Sequence, residues 1–262
     1  MSYKTILFEV RDNVAHITLN RPDAANSFNP DMATDLMHAV IDCSEDSAIR
    51  AVVITGAGRM FSAGGDLKAF ASQGEKLPHH LKEVTTYLHA AISRLIRLDA
   101  PVVAAVNGSA AGAGMSLACA CDFVIAAESA RFVAAYSLAG LTPDGSLTYF
   151  LPRIVGLKRA LELTMTGQAL SAKEALEWGI ATKVVPDTEL LTEAHAFAAR
   201  LANGATRALG ATKRLLQNGW TETLETQMEH ESQSIAAMSH TADAIEGVNA
   251  FLAKRKPNFK GK

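Results

Sequence analysis

The chain has 262 residues, of which 48% are hydrophobic and 20% charged, and its formal net charge is −2 at pH 7. This length suits one large domain, and the nearly neutral charge gives no support for nucleic-acid binding. No run reaches the roughly 18 apolar residues that a membrane-spanning helix needs. Charges interrupt the apolar residues near the N-terminus, and no small-residue cleavage site follows them. We therefore expect a cytoplasmic location, with neither a membrane nor a nucleic acid as partner.

The cysteines agree with that location. Cys43, Cys119 and Cys121 make an odd number and show no metal-ligand spacing. Cys119 and Cys121 are two residues apart in a helical segment, so their side chains point in different directions. Buried, reduced thiols without a metal ion are the expected state, as in a reducing compartment.

The first 55 residues predict a β-hairpin, a helix and a buried strand. Apolar and polar residues alternate in 6–10 and again in 14–19, with a turn between them. Asn29-Pro30 is typical of a helix start, because Asn caps the N-terminus and Pro suits the first helical position. Residues 51–55 form a short apolar, β-branched run that favours a buried strand.

Two predicted core strands are each followed by a loop of very small residues that leads towards a helix. Residues 62–65 follow the strand at 51–55, and residues 107–114 follow the strand at 102–106. N–H groups at a helix start have no partner within the helix, and small side chains let a ligand approach them. Two such loops could direct two N–H groups at one point, which is the geometry of an oxyanion hole. Tight strand-to-helix packing without a ligand is the alternative.

Two polar side chains are candidates for acid–base work, and each also has an ordinary explanation. Asp144 lies in a predicted turn before Gly145, where an aspartate often only caps the next helix. His89 lies on a helix predicted for 81–98, where it can be a polar residue beside the core. The preceding segment, 73–78, is polar and predicts a mobile surface loop.

Helices dominate the last hundred residues. Ser171 and Glu174 form a capping-box pattern at a helix start. We predict an α/β core over residues 1–200, followed by a helical region over residues 201–262. The apolar faces of that region need a partner surface, which is either the core or another subunit. The final residues, 254–262, carry five cations, which could meet a polyphosphate.

Six stretches together span nearly the whole chain: LNRPDAANSFN, ITGAGRMFSAGGDLKAF, PVVAAVNGSAAGAG, CDFVIAAESARF, LTMTGQALSAKEALEWGI and FLAKRKPNF. In this order they resemble the crotonase (enoyl-CoA hydratase/isomerase) superfamily. The resemblance implies an α/β fold, a crotonase-like spiral core of ββα turns with a C-terminal helical trimerisation region. It also implies an acyl-CoA substrate, coenzyme A as part of that thioester, no tightly bound cofactor, a homotrimer or dimer of trimers, and a role in fatty acid metabolism.

The resemblance also implies positions for the site. The N–H groups of Ala63 and Ala113 would hold the thioester oxygen. Ala113 stands where the family usually has glycine, and its N–H can serve if its φ is negative. Coenzyme A would lie near Ala24, Ala25, Asp66, Leu67 and Lys254.

The reaction depends on the acids and bases around that oxygen. Hydratases of this family use two glutamates, and the corresponding residues here are Ser116 and Tyr136. Their ordinary pKa values are far above neutral, so neither activates water well without a partner base. Asp144 matches the acidic residue of the family's enoyl-CoA isomerases, especially those of the phenylacetate pathway. There it moves a proton from C2 to C4, so isomerisation is the favoured prediction.

Three other functions stay open from the sequence. The resemblance to 4-chlorobenzoyl-CoA dehalogenase would make Asp144 a nucleophile and His89 the hydrolytic base. That match is weakened because Tyr136 replaces a tryptophan and Ala63 replaces a phenylalanine. Ordinary hydration, a lyase reaction, is the second function. An acyl-CoA-binding paralogue without catalysis is the third.

Overall fold

The structure is a computed structural model that describes residues 3–262. Its strands form a six-stranded sheet in the order β1-β2-β3-β4-β6-β9 and a three-stranded sheet in the order β5-β7-β8. The strands are β1 (Ile6–Arg11), β2 (Val14–Leu19), β3 (Ala51–Gly56), β4 (Val102–Val106), β5 (Ser109–Ala111), β6 (Phe123–Ala127), β7 (Arg131–Val133), β8 (Ala169–Ser171) and β9 (Lys183–Val185).

Helices surround these sheets and make up most of the chain after residue 147. They are α1 (Pro30–Glu45), α2 (Leu67–Ala71), α3 (Leu77–Leu95), α4 (Ala113–Ala120), α5 (Leu147–Val155), α6 (Leu157–Thr166), α7 (Ala172–Glu177), α8 (Leu190–Ala202), α9 (Thr206–Asn218), α10 (Leu224–Ser239) and α11 (Ala242–Leu252).

The predicted hairpin is confirmed. β1 and β2 pair antiparallel from Ile6 opposite Leu19 to Arg11 opposite Val14. The turn residues Asp12 and Asn13 both have positive φ, as a tight two-residue hairpin requires.

The rest of the large sheet is parallel. β2 pairs with β3, β3 with β4, β4 with β6, and β6 with β9. Its central strands are buried, and β4 is buried along its whole length. Because parallel strands end at the same edge of a sheet, the loops after β3 and β4 emerge side by side. That placement brings the two loops of small residues together.

Sequence signals for helix starts are also confirmed. The Asn29 side chain accepts a hydrogen bond from the Met32 N–H at 2.9 Å, which caps α1. Ser171 and Glu174 form the predicted capping box at α7. Both signals are local, so tertiary packing has little opportunity to override them.

The segment before α3 differs from the prediction. A 3-10 turn covers Gly74–Lys76 and α3 begins directly afterwards at Leu77, so the irregular segment is shorter than expected. Pro78 occupies the first turn of the helix, where its missing N–H costs no helical hydrogen bond. Two short strands, β5 and β8, and the helix α5 are elements that the sequence pattern did not indicate.

The C-terminal helices expose several large apolar side chains, among them Leu216, Ile235 and Phe251. This agrees with helical faces that need a partner surface, but the boundary at residues 200 and 201 and the oligomeric state stay predictions. Two of the three free cysteines, Cys43 and Cys119, are buried. Burial raises the pKa of both thiols to about 12, which leaves them unreactive.

Membrane-spanning helices and metal-binding clusters are both absent from residues 3–262. Residues 3–262 contain no helix that is both long and apolar enough to cross a membrane. The same residues hold no group of three or more His, Cys, Asp or Glu side chains that is arranged for a metal ion.

Candidate active site

The two loops of small residues lie against each other. The Ser62 N–H donates to the Ser109 carbonyl at 3.1 Å, and the Ala111 N–H donates to the Ser62 carbonyl at 2.8 Å. Gly64 has a φ of +92°, and a β-carbon there would lie 2.7 Å from the Ala111 carbonyl oxygen. Only glycine fits this conformation and this close contact. The loops therefore form one surface at the edge of the large sheet.

The predicted donor at Ala63 needs a correction. Its N–H already donates to the carbonyl of Ala25 at 2.9 Å. An N–H group has a single hydrogen, so this bond takes away the capacity that an oxyanion would need. Ala63 lines the cavity described below, but its N–H serves the fold.

Gly65 offers the N–H that Ala63 lacks. A parallel bridge joins Phe28 to Gly65, and it uses the Gly64 carbonyl and the Asp66 N–H. The N–H of the bridged residue itself then projects to the other side. Within residues 3–262 the Gly65 N–H donates to no acceptor, and Gly65 lines the same cavity as Ala63.

Ala113 has the geometry that the sequence predicts for a donor. It is the first residue of α4, so its N–H has no partner within the helix. Its φ is not positive, so alanine in place of the family's glycine keeps the N–H in the orientation of a helix start. The partial positive charge of a helix N-terminus adds to its attraction for a developing anion.

Gly65 and Ala113 border a cavity of about 230 Å³. Its lining is mostly apolar, and within residues 3–262 the titratable side chains that line it are Tyr136 and Asp144. Asp144, whose carboxylate the sequence singles out, therefore lines one cavity with two residues whose N–H groups have no acceptor within residues 3–262. This is a combination that proton transfer next to a carbonyl requires.

A hydrogen-bond network fixes the Asp144 carboxylate. The Tyr136 hydroxyl donates to Asp144 Oδ1 at 2.6 Å. The Ser116 hydroxyl lies 2.8 Å from the Tyr136 hydroxyl and 2.9 Å from the Asp144 carbonyl oxygen. Among the described residues no hydrogen bond reaches Asp144 Oδ2. One carboxylate oxygen is held in place, and the other is available.

The protonation state of Tyr136 agrees with its role as a donor. Burial, and after it the neighbouring Asp144 carboxylate, raises the pKa of Tyr136 well above its ordinary value of 10. The phenol therefore keeps its proton at every physiological pH. Its only hydrogen goes to the charged oxygen, because a hydrogen bond to an ionised acceptor is the stronger one.

His89 lies beside this network but outside the cavity lining. The Gly145 N–H donates to His89 Nε2 at 3.0 Å, so that nitrogen acts as an acceptor. His89 lines a neighbouring cavity of about 670 Å³, which shares Asp144 with the first. Its observed role is to hold the peptide group that follows Asp144.

Four of the residues expected near coenzyme A, which are Ala24, Ala25, Asp66 and Leu67, lie in or beside the loops that surround the site. Ala24 and Ala25 are in and directly after a 3-10 turn, and the Ala25 carbonyl accepts the Ala63 N–H. Asp66 accepts from Arg21 Nη2 at 3.0 Å and from the Ala69 N–H at 3.1 Å. Leu67 is 57% exposed and lines the cavity, so it marks an open side.

Lys254, the fifth residue expected near coenzyme A, is not linked to the other four by a hydrogen bond or ion pair within residues 3–262. It is exposed and follows α11, with a positive φ of 52°. No hydrogen bond or ion pair within residues 3–262 connects its side chain to the cavity. The expected contact with coenzyme A stays a prediction for this residue.

Gly65 and Phe70 are among the cavity residues that sequence reasoning missed. Gly65 belongs to the loop that the sequence singles out, but the pairing that leaves its N–H free is tertiary. Phe70 gave no signal, because an aromatic residue on a short helix is ordinarily part of the core.

The fold is that of the crotonase class. The chain belongs to the enoyl-CoA hydratase/isomerase family, whose profile matches residues 9–262. It is therefore a member of a family of enzymes that act on acyl-CoA.

Individual proteins resemble the chain over nearly its whole length. The 1,2-epoxyphenylacetyl-CoA isomerase of Escherichia coli K12 is 43% identical over 258 residues, which are 98% of both chains. A 4-chlorobenzoyl coenzyme A dehalogenase of an Arthrobacter species is 35% identical over 95% of this chain and 91% of its own. The crystal structure of an enoyl-CoA hydratase from Polaromonas superposes with a TM-score of 0.93 at 35% identity, covering 97% and 99% of the two chains.

Proposed function

We propose that the protein is an enoyl-CoA isomerase that moves a double bond from C3–C4 to C2–C3. Asp144 would be its acid–base residue. The observation that carries the proposal is that Asp144 lines the same cavity as Gly65 and Ala113, whose N–H groups have no acceptor within residues 3–262. The similarity to the E. coli 1,2-epoxyphenylacetyl-CoA isomerase supports an isomerase over other members of the family.

The reaction follows from this arrangement. Asp144 Oδ2 removes a proton from C2 of the 3-enoyl thioester, and the electron pair passes into the carbonyl group. The Gly65 and Ala113 N–H groups stabilise the oxyanion of the resulting dienolate. The protonated carboxyl then returns the same proton to C4, and the double bond forms between C2 and C3. A single carboxyl group is sufficient, because it removes and returns the same proton.

Tyr136 supports this step by positioning. Its hydroxyl restricts the rotation of the carboxylate by holding Oδ1. Fixing the base before the substrate arrives removes part of the entropy cost of the transition state. Ser116 in turn holds the backbone oxygen of Asp144, so the whole turn is fixed from the interior.

Hydration fits the cavity less well. A hydratase of this family needs two carboxylates to handle water, and Ser116 and Tyr136 stand in their places. Both hydroxyls are committed to the network around Asp144. Tyr136, with its raised pKa, supplies no base near neutral pH.

Aryl dehalogenation also fits less well, although a dehalogenase is among the relatives. Its hydrolytic step needs a base, and His89 would supply it. The lone pair of His89 Nε2 already accepts the Gly145 N–H. In the neutral ring the other nitrogen then carries the hydrogen, so no free lone pair is left for water.

We also propose that coenzyme A lies along Ala24, Ala25, Asp66 and Leu67, with Lys254 reaching its phosphates. This proposal is supported by the open side of the cavity at Leu67. A homotrimer or dimer of trimers would cover the exposed apolar side chains of the C-terminal helices.

The proposal is tested with trans-3-hexenoyl-CoA and the absorbance of the conjugated product. Wild type should convert it, and Asp144→Asn, which keeps the shape but not the base, should lower kcat by about 10² to 10⁴. Asp31→Asn changes an exposed carboxylate away from the cavity and should leave kcat unchanged.

Three results would count against it. Unchanged turnover in Asp144→Asn would remove Asp144 from the mechanism. Loss of conjugated absorbance from crotonyl-CoA, at a rate above isomerisation, would identify a hydratase. Chloride release from 4-chlorobenzoyl-CoA, abolished by His89→Gln, would identify a dehalogenase.

A further inference from the structure

Gly65 is a glycine for a steric reason. Its φ lies outside the left-handed region, so its backbone conformation is open to any residue. A β-carbon at this position would, however, lie 2.6 Å from Phe70 Cζ and 2.7 Å from Phe70 Cε2. The tip of the Phe70 ring therefore occupies the space where a side chain at position 65 would begin.

The ring is held there from two sides. α2 starts immediately after Asp66, whose side chain caps it through the Ala69 N–H, and the Phe70 N–H donates to the Asp66 carbonyl at 2.9 Å. On α3, the His80 ring meets the Phe70 ring edge-on, with centroids 5.8 Å apart. Phe70 is thus part of a rigid unit with the loop that carries the Gly65 N–H.

Phe70 also lines the active-site cavity, together with Leu81 and Thr85 from α3. It stands beside the N–H group that we assign to the thioester oxygen. Because the cavity is only about 230 Å³, a ring at this place takes up space that a bulkier acyl thioester would need.

We propose that Phe70 is a specificity-determining residue, which restricts the site to compact acyl-CoA thioesters, and that Gly65 and Phe70 act as one steric unit. The size limit applies to binding of the thioester. Only its kinetic test rests on the proposed function. A long or branched acyl group would require the Phe70 ring to leave the Gly65 surface.

The first experiment measures the coupling between the two positions. Gly65→Ala keeps the N–H but places a methyl group against the ring, so it should lower kcat/KM for trans-3-hexenoyl-CoA by at least about 10-fold. In a Phe70→Ala background the same change should cost less than about 3-fold, because the obstacle is gone. Equal losses in both backgrounds would overturn the steric unit.

The second experiment measures size selection. Phe70→Ala should raise the ratio of kcat/KM for trans-3-dodecenoyl-CoA over trans-3-hexenoyl-CoA by at least about 10-fold, and Phe70→Leu should give a smaller rise. Met165→Ala removes an exposed apolar side chain on α6 and should leave the ratio unchanged. An unchanged ratio in both Phe70 variants would overturn the size limit.

Calorimetric binding of hexanoyl-CoA and dodecanoyl-CoA repeats both comparisons without turnover, since these saturated thioesters have no double bond to move. Failure of the isomerase proposal would show as no turnover with the same binding pattern. If the Phe70 proposal fails, the ratio of the binding constants for dodecanoyl-CoA and hexanoyl-CoA will be the same in the Phe70 variants as in wild type. Far-UV circular dichroism and a melting curve establish that each variant is folded.

Discussion

The two walls of the cavity are built in different ways. One wall contains Gly65 and Ala113, the first residue of α4, whose backbone N–H groups have no acceptor within residues 3–262. The other presents side chains, with the Asp144 carboxylate held by Tyr136 and, through its backbone oxygen, by Ser116. The first wall depends on how strands and loops pair, and the second depends on which residues stand at a few positions.

On the proposed function, this difference accounts for one fold serving relatives that are named for different reactions. On the proposed function, the backbone wall stabilises an oxyanion whatever its side chains are, provided that the loops keep their pairing. In the same proposal, the side-chain wall decides where a proton goes. A chain 43% identical to an isomerase and 35% identical to a dehalogenase therefore requires its own acids and bases to be identified residue by residue.

After Asp144→Asn, the largest effect should follow from removing a donor in the backbone wall. Ala113→Pro deletes the N–H at the first position of α4, where proline is tolerated. The loss of one oxyanion donor should lower kcat by about 10² to 10³. Steady-state kinetics with trans-3-hexenoyl-CoA measure this loss.

The matched control is Ala242→Pro, an exposed substitution at the same position of α11, which should change kcat little. If both variants were equally active, the backbone wall would not hold the oxygen at Ala113.

A smaller effect is expected in the side-chain wall. Tyr136→Phe removes the 2.6 Å hydrogen bond to Asp144 Oδ1 and leaves the carboxylate free to rotate. A hydrogen bond to a charged group contributes about 1.5–3 kcal/mol, so kcat should fall by roughly 10- to 100-fold. KM should change much less, because the binding groups remain.

Tyr87→Phe removes a phenol on α3 outside the cavity lining, and it should leave both parameters unchanged. A rise in KM with constant kcat in Tyr136→Phe would contradict the positioning role and would indicate a binding role.

Ser116→Ala should have a still smaller effect. It removes a buried hydroxyl that holds Tyr136 and the Asp144 carbonyl oxygen. The expected cost is about 1 kcal/mol in the free energy of unfolding and a reduction of kcat of about 3- to 10-fold. Denaturant unfolding and kinetics on the same preparation separate the effect on stability from the effect on kcat. A loss of stability without any loss of kcat would mean that Ser116 serves only the fold.

The pH response of the side-chain wall gives the smallest signal. Because burial and Asp144 raise the pKa of Tyr136, the phenol stays protonated in the folded protein above pH 10, while the unfolded chain ionises near its ordinary value of 10. Stability from this residue is therefore complete below about pH 10 and is lost as the pH rises further.

Melting temperatures of wild type should fall more steeply above about pH 10 than those of Tyr136→Phe. Difference absorbance between the two proteins should show no phenolate from Tyr136 up to about pH 10. A phenolate signal at lower pH would show that the tyrosine is not buried against the carboxylate.

The sequence by itself determined much of the framework. Local patterns placed the hairpin at 6–19, the Asn29 cap of α1 and the buried run of β4, because alternation, capping and apolar content act within a few residues. They also located both loops of small residues and the candidate Asp144. Because Ser116 and Tyr136 stand where hydratases of the family have glutamates, the sequence alone already favoured isomerisation over hydration.

Only the tertiary structure decided which groups are free to act. Ala63 and Gly65 are two residues apart in one small-residue loop, but the Ala25 carbonyl takes the Ala63 N–H and leaves that of Gly65. Ser116, Tyr136 and Asp144 meet across 28 residues of chain. Hydrogen-bond partners and steric neighbours at that separation depend on the register of strands and the packing of helices. No local pattern encodes them.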